Sequence, residues 1–292
     1  IEGRIISDTN WQDEIYRRTD FVDNNLSIRG SLFNVVPAKL TLNNTFQEGL
    51  RLTNTFQRTS TSLALNPRLF KDHLKINFSA NYVVEKNRFA DGVEGTAIRF
   101  DPTKPVRYEP SAFSGFFEYQ IAGPSGALPA PQSPRNPVAQ LLQTDDQGRQ
   151  DRVFGNLEFD YKFHFLPELR AVVNLGYDQA YSVRTLFRSA NGVATADLDP
   201  TDATRFIGRS TYLSQRRTNK LLDGYLAYNK TFGKVNVDAT AGYSYQVFTY
   251  DGYNSGNKFD VSQNRIPVNF ADADVVLIGY FGRANFTFND KY

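Results

Sequence analysis

Leu74-Lys75-Ile76-Asn77-Phe78-Ser79-Ala80-Asn81-Tyr82-Val83-Val84-Glu85 decides the fold. Its even-numbered residues are apolar and its odd-numbered residues, Val83 aside, are polar. A helix would repeat its apolar residues three and four positions apart. A repeat of two is a strand with one apolar and one polar face. The same alternation runs from Gly155 to Phe165 and from Val235 to Val247.

Extended along the chain, the pattern predicts nine strands, at roughly 24–32, 37–47, 54–65, 73–86, 152–163, 169–186, 211–231, 234–250 and 275–288. Several exceed the ~9–11 residues that cross a bilayer at a tilt. Connections are short at 34–36, 66–72, 164–168 and 232–233, and long at 87–151, 187–210 and 251–274. The connection at 48–53 should be long by this rule and is not. The three long ones fall at one end, as in outer-membrane barrels with short periplasmic turns and long extracellular loops. The expected fold is all-β, an antiparallel transmembrane β-barrel of which nine strands form an incomplete part. A soluble β-rich binding module is the alternative. On the polar face, Lys39, Arg58, Glu158, Asp160, Arg170, Asp238 and Arg283 would line a wide lumen, watery or plugged. Tyr161, Phe163, Phe165, Tyr228, Phe232, Phe286 and Phe288 gather near the short turns, which fits an interfacial girdle or simply the β-propensity of aromatics.

Composition removes other function classes. The 292 residues contain no Cys, no Met and only His73 and His164 as histidines. Disulfides, thiolate catalysis, Cys-ligated metals and a His-rich cage are excluded. The absence even of a starting Met points to a processed or internal stretch. A formal charge of +2 gives no steering toward nucleic acid. No run of 18 apolar residues provides a transmembrane helix, and no signal peptide opens the chain.

The segment 87–151 holds eight of the thirteen prolines, and so long a loop is usually functional or disordered. Asn136-Pro137 is expected to cap a short helix running to about Gln143, and Asn10 another with Asp13 and Glu14 in its first turn. Tyr108, Phe113, Phe116, Phe117 and Tyr119 are candidates to contact substrate or a lid partner, or else pack the loop on itself. His73 and His164 read as solvated turn residues. Asp145, Asp146 and Asp151 read as a solvated loop tip without EF-hand spacing. Asn-x-Ser/Thr at Asn25, Asn43, Asn77, Asn229 and Asn285 falls in strands, where a polar face generates it. There is no phosphate-binding or dinucleotide fingerprint. No enzyme, cofactor or metal is expected.

Several stretches carry a family resemblance. They are Trp11-Gln12-Asp13-Glu14, Asn25-Leu26-Ser27-Ile28-Arg29-Gly30, Phe100-Asp101 running into Pro102-Thr103-Lys104-Pro105-Val106, Asn136-Pro137-Val138-Ala139, and Tyr280-Phe281-Gly282-Arg283 with Asn289-Asp290-Lys291-Tyr292. In that order they resemble motifs of SusC/RagA-type TonB-dependent transporters, outer-membrane importers of the Bacteroidota. Trp11, Gln12, Asp13, Gly30, Asn136, Pro137, Gly282 and Arg283 are the structural positions of the pattern. The chain departs from it at Gly30-Ser31, where paired glycines are common, and in the hairpin 37–65.

The resemblance implies that residues 1–20 lead into the barrel and that 21–292 form the N-terminal part of it, with 87–151 as a long extracellular loop. It implies import of nutrient oligomers, glycan or peptide, across the bacterial outer membrane. The partners implied are a SusD-like surface lipoprotein over the loops, TonB acting through a plug outside this segment, and membrane lipid. Nine strands cannot close such a barrel, and lipid cannot satisfy open edges. Remaining barrel strands would pair those edges, or an outer-membrane insertion machinery would hold the chain as its client.

Overall fold

A computed structural model describes residues 7–33, 35–123, 126–190, 192–193, 198–199, 202–206, 208–255 and 268–288. Nine long strands make the sheet: β1 Phe21–Leu32, β2 Val36–Glu48, β3 Thr55–Leu65, β4 Leu74–Phe89, β5 Thr144–Lys162, β6 Leu169–Arg188, β7 Arg209–Phe232, β8 Val235–Asn254 and β9 Val275–Phe288. Each pairs antiparallel with the next in chain order. Arg68–Leu69 adds to β4 and Val268–Ala271 to β8. Outside the sheet lie the short hairpins Gln120–Gly123/Gly126–Pro129 and Leu198–Asp199/Asp202–Phe206. Helices are α1 Trp11–Ile15, α2 Glu94–Arg99 and α3 Pro137–Leu142. Among the described residues, β1 and β9 each keep one unpaired edge.

The nine expected strands are all present, but β4 to β8 reach further at the long-connection end. The largest correction is at β5, which begins at Thr144 rather than 152. Consequently Asp145, Asp146 and Asp151 are strand residues, not a loop tip. The reason is physical. Beyond the membrane both faces of a strand meet water, so the apolar/polar alternation that reveals a strand is absent there.

Register fixes the faces. Directly opposed residues share a face, and Asn81, Phe154, Asp178, Asn219 and Phe248 form one cross-sheet row. The neighbouring row on the other face holds Ala80, Gly155, Tyr177, Lys220 and Val247. By this bookkeeping Lys39, Arg58, Glu158, Asp160, Arg170, Asp238 and Arg283 all lie on one face, hereafter the inner wall. All five Asn-x-Ser/Thr asparagines lie there too, as a two-residue polar period requires. At the short-turn end, β7 and β8 close through Gly233, whose φ of 62° is a conformation glycine takes without a Cβ penalty.

The main hydrophobic core is not in the sheet. Trp11 and Ile15 of α1, Val93, Ala97 and Phe100 around α2, Phe113 and Phe116, Val138, Ala139 and Leu141 of α3, and Val193 pack into one cluster at the long-connection end. The N-terminal segment, the β4–β5 connection and part of the β6–β7 connection thus form a single folded unit over that end.

Candidate functional site

The candidate site is the transmembrane wall together with the folded loop unit at its mouth. The outer face of the wall is apolar over a limited height. On β4 it runs from Leu74 to Val84 before Lys86 appears, and on β5 it runs down to Val153 before Asp151. On β6 it gives way at Gln179 and on β7 at Lys220. In register these first polar residues step down by one facing pair from each strand to the next, since Asp151 opposes Val84, Gln179 opposes Val153, and Lys220 opposes Tyr177. A level boundary across tilted strands produces such a stagger, and transmembrane strands tilt by roughly 35–45°. On β7, Lys220 and Lys230 bracket the band ten residues apart. At ~3.3 Å per residue and a tilt of ~40°, that is about 25 Å, the height of an outer-membrane apolar band.

Aromatics mark both margins. At the lower margin Tyr161, Phe163 and Phe165 stack in sequence, with centroid separations of 5.4 and 5.3 Å, and Phe232, Phe286 and Phe288 are exposed nearby. At the upper margin Tyr82, Tyr177 and Tyr181 are exposed on the same outer face. The sequence left the lower gathering open between a girdle and simple β-propensity, and the upper tyrosines do not stand out in it because they are interleaved with polar residues.

The inner wall is a hydrogen-bonding surface. Ser62 donates to Asn81 at 2.6 Å, Asn77 to Glu158 at 2.7 Å and Ser244 to Asp223 at 2.6 Å, and Ser79 donates to Asn156. Arg152 grips Asp178 through two 2.8 Å bonds, and Arg170 meets Asp160 at 2.8 Å. A concavity of about 460 Å³ opens among Asn81, Asn156, Asn174, Asp178 and Phe154. A second, of about 410 Å³, is lined by Arg152, Asp178, Arg217 and Asn219. Amides, hydroxyls and paired ions present donors and acceptors without one dominant charge. Such a wall presents a hydrogen-bonding surface to polar groups and water.

In the loop unit, Trp11 Nε1 donates to the Asp101 carbonyl at 2.9 Å, and its ring lies 4.5 Å from that of Phe100. Gln12 and Asp13 are exposed on α1. The α1 cap forms as expected, with the Asn10 side chain accepting from Gln12 N. Asn136 is fully buried and uses its whole side chain. Oδ1 accepts from the backbone of Val138 and Ala139, capping α3 behind Pro137, and Nδ2 donates to the carbonyls of Val106 and Phe117. The unit is clasped to the sheet by Arg51–Glu94 at 2.5 Å and Arg188–Asp91 at 2.7 Å.

The expected stacking rings divide. Phe113 and Phe116 are each only 3 % exposed and belong to the core, which corrects the expectation of surface contact for them. Phe117 and Tyr119 pack against that core, whereas Tyr108 is 49 % exposed. The loop buries most of its rings because a 54-residue connection with so many prolines must build its own apolar interior to stay ordered. Gly30 and Gly282 lie on the outer face of the two edge strands, and Arg283 lies on the inner wall, 3.4 Å from Asp238. Asn289–Tyr292 lie outside the described residues. His73 and His164 are not merely solvated. They stack face to face at 3.9 Å across the short turns, with His73 Nδ1 against the Lys162 carbonyl at 2.8 Å. Among the described residues no group of three metal-ligating side chains forms, and no helix is long and apolar enough to cross a membrane.

Sequence reasoning also missed Glu118. Its carboxylate is buried, with Oε2 accepting from Asn136 N at 2.9 Å, Oε1 without a hydrogen-bond partner among the described residues, and Arg135 3.8 Å away. Burial pushes its pKa from 4.5 up to about 7, against the opposing pull of the Asn136 amide and Arg135. The folded unit therefore holds a proton that the unfolded chain releases. The contribution of Glu118 to the stability of that unit is fully present below about pH 4.5 and is lost as pH rises through about 7, by on the order of 3 kcal/mol. Limited proteolysis of residues 90–143 between pH 5 and 8 should show this loss, and Glu118→Gln should flatten it. An unchanged slope in the variant would assign the dependence elsewhere.

No family model matches the chain. It is 30 % identical over 98 % of its length to the TonB-dependent receptor SusC of Bacteroides thetaiotaomicron, and 23 % identical over 97 % to the TonB-dependent receptor P26 of Formosa agariphila. It spans 29 % and 28 % of those proteins. In fold it is similar to the RagAB peptide importer in its closed-closed state, with a TM-score of 0.71 and 16 % identity over 99 % of this chain and 32 % of that one. The relatives are receptors and importers, not enzymes. In sequence along nearly its whole length and in fold, the chain is similar to a stretch of the β-barrel of the SusC/RagA-like TonB-dependent receptors.

Proposed function

We propose that this chain forms part of the wall and mouth of an outer-membrane importer for nutrient oligomers, glycan or peptide. The observation that carries the reading is the pairing of an apolar outer band, about as high as an outer membrane, with a hydrogen-bonding inner wall on the same strands. A SusD-like surface lipoprotein would sit over the folded loop unit, and TonB would act from the periplasm through a plug outside these residues. Tyr108, exposed on that unit, is the sequence-selected ring left to meet the lipoprotein or the substrate.

The test is uptake by cells. Deleting the gene should abolish import of one class of oligomer, and the intact gene should restore it. Unchanged uptake of glycans and peptides alike would reject the reading. Tyr108→Ala should reduce co-purification of the lipoprotein several-fold while leaving the protein in the membrane. Full co-purification would move the contact elsewhere on the unit.

A second reading rests on the unpaired edges of β1 and β9. An insertion machinery could hold such edges during assembly. The mass of the detergent-extracted polypeptide separates the two. A chain far heavier than 33.1 kDa supplies its own pairing strands, whereas one of that mass needs a partner at both edges.

A further inference from the structure

The outer face carries cations that the importing role does not use. Above the apolar band, Arg88 is paired with Asp145 at 3.5 Å, and Arg149 holds Asp151 through bonds of 2.7 and 2.9 Å. Tyr82 also donates to Asp151, at 2.9 Å. Lys86, Arg216 and Lys220 remain. All three are exposed, and among the described residues none is in an ion pair. Asp251 opposes Arg216 in register without closing a bridge. Arg216 lies over the Tyr181 ring at 5.8 Å.

Their placement matters more than their number. Lys86 and Lys220 are the first polar residues above the apolar band on β4 and β7, so they sit on its upper edge, with Arg216 four residues higher on β7. The lower edge is arranged differently, because Lys230 there is neutralised by Glu168 at 2.8 Å. A lysine at such an edge lays its alkyl stem along apolar surface and sends its ammonium outward to the headgroup level. Anionic groups of fixed height are found at that level in the phosphates of membrane lipids, and unpaired basic residues beside a membrane surface attract them. The exposed tyrosines between the cations, Tyr177 and Tyr181, are the side chains that favour this interfacial layer.

We propose that Lys86, Arg216 and Lys220 form a rim that binds phosphate-bearing lipid of the outer leaflet. This rests on the membrane reading above. The rim would fix the depth and tilt of the wall and leave the lumen untouched.

The test uses the protein extracted from outer membranes and native mass spectrometry, with monophosphoryl lipid A and its dephosphorylated form as probes. The wild type should retain the phosphorylated lipid at least about tenfold better. The combined variant Lys86→Gln, Arg216→Gln, Lys220→Gln should lose the preference, and replacement by Arg at both lysines should keep it. An inner-wall control of equal charge change, Lys39→Gln, Lys75→Gln, Arg217→Gln, should also keep it. No preference in the wild type, or the same preference in the outer-rim variant, would overturn the proposal. So would loss of retention on adding inorganic phosphate, which would mean a soluble anion site. A protein that stays monodisperse without detergent would instead sink the membrane reading itself.

Discussion

Phe78→Arg destabilises the membrane-folded protein by about 2–4 kcal/mol, while Asn77→Arg, one residue away, costs far less. Phe78 opposes Leu65 and Leu157 and continues into the row of Leu175 and Leu222, all on the outer face. It sits near the middle of the β4 apolar stretch from Leu74 to Val84, so a guanidinium there enters the hydrocarbon at its deepest and has the furthest to reach for water. Asn77 points the other way and donates to Glu158, so an arginine in its place meets a carboxylate on a hydrated wall. The pair Ala241 and Thr240 repeats the contrast on β8. Ala241 opposes Leu226 and Gly282 on the outer face, whereas Thr240 opposes Ala227 and Arg283 on the inner one. Ala241→Arg should carry the large cost. Thr240→Arg should carry a small one, raised a little by the like charge of Arg283. Urea titration of folding into lipid vesicles measures all four. Equal costs within either pair would mean that the faces are assigned wrongly.

Those faces were legible because the membrane makes them so. Lipid on one side and water on the other forces a two-residue period, and Leu74–Glu85, Val83 aside, and Val235–Val247 display it. Where the strands rise out of the lipid the constraint ends, and the reading failed at the same place. Thr144–Asp151 contains acids and amides on both faces, and its strand character lies in ladder pairing with β4 and β6, reinforced by ion pairs such as Arg184–Asp146 that join residues 38 apart. The loop unit was half legible. Asn10 and Asn136-Pro137 announced their helices because capping is local chemistry. The core that unites α1 with residues 93–141 and Val193 is made of contacts up to about 180 residues apart in sequence, and no local period encodes it. Glu118 was invisible for the same reason, since a glutamate in a proline-rich loop reads as solvated until the fold closes over it.

Trp11→Ala should melt the loop unit and leave the wall intact. Trp11 is buried, lies against Phe100, and ties α1 to the β4–β5 connection through the Asp101 carbonyl. Thr9 brackets the same segment, donating through its backbone to Pro102 and through its hydroxyl to Lys104. Truncating a buried Trp removes its apolar contacts and leaves a cavity that a unit this small cannot collapse to fill, a cost of about 3–5 kcal/mol. The ring contact and hydrogen bond of Trp11 go to Phe100 and Asp101 of the β4–β5 connection rather than to a strand. Hydrogen exchange on the detergent-extracted protein distinguishes the two bodies. Amides of residues 11–16 and 93–142 should lose protection by several orders of magnitude, while those of β5 to β8 serve as an unchanged reference. Capture of a surface lipoprotein should fall with the unit, and by more than Tyr108→Ala lowers it, since one change removes the platform and the other a single ring upon it. Deleting 111–135 would be a poorer probe, because it strips Phe113, Phe116 and Glu118 from the interior along with any contact surface. If Trp11→Ala instead exposes the strand amides as well, the mouth and the wall fold as one cooperative body. The loop unit would then be a brace for the barrel rather than a platform built on it.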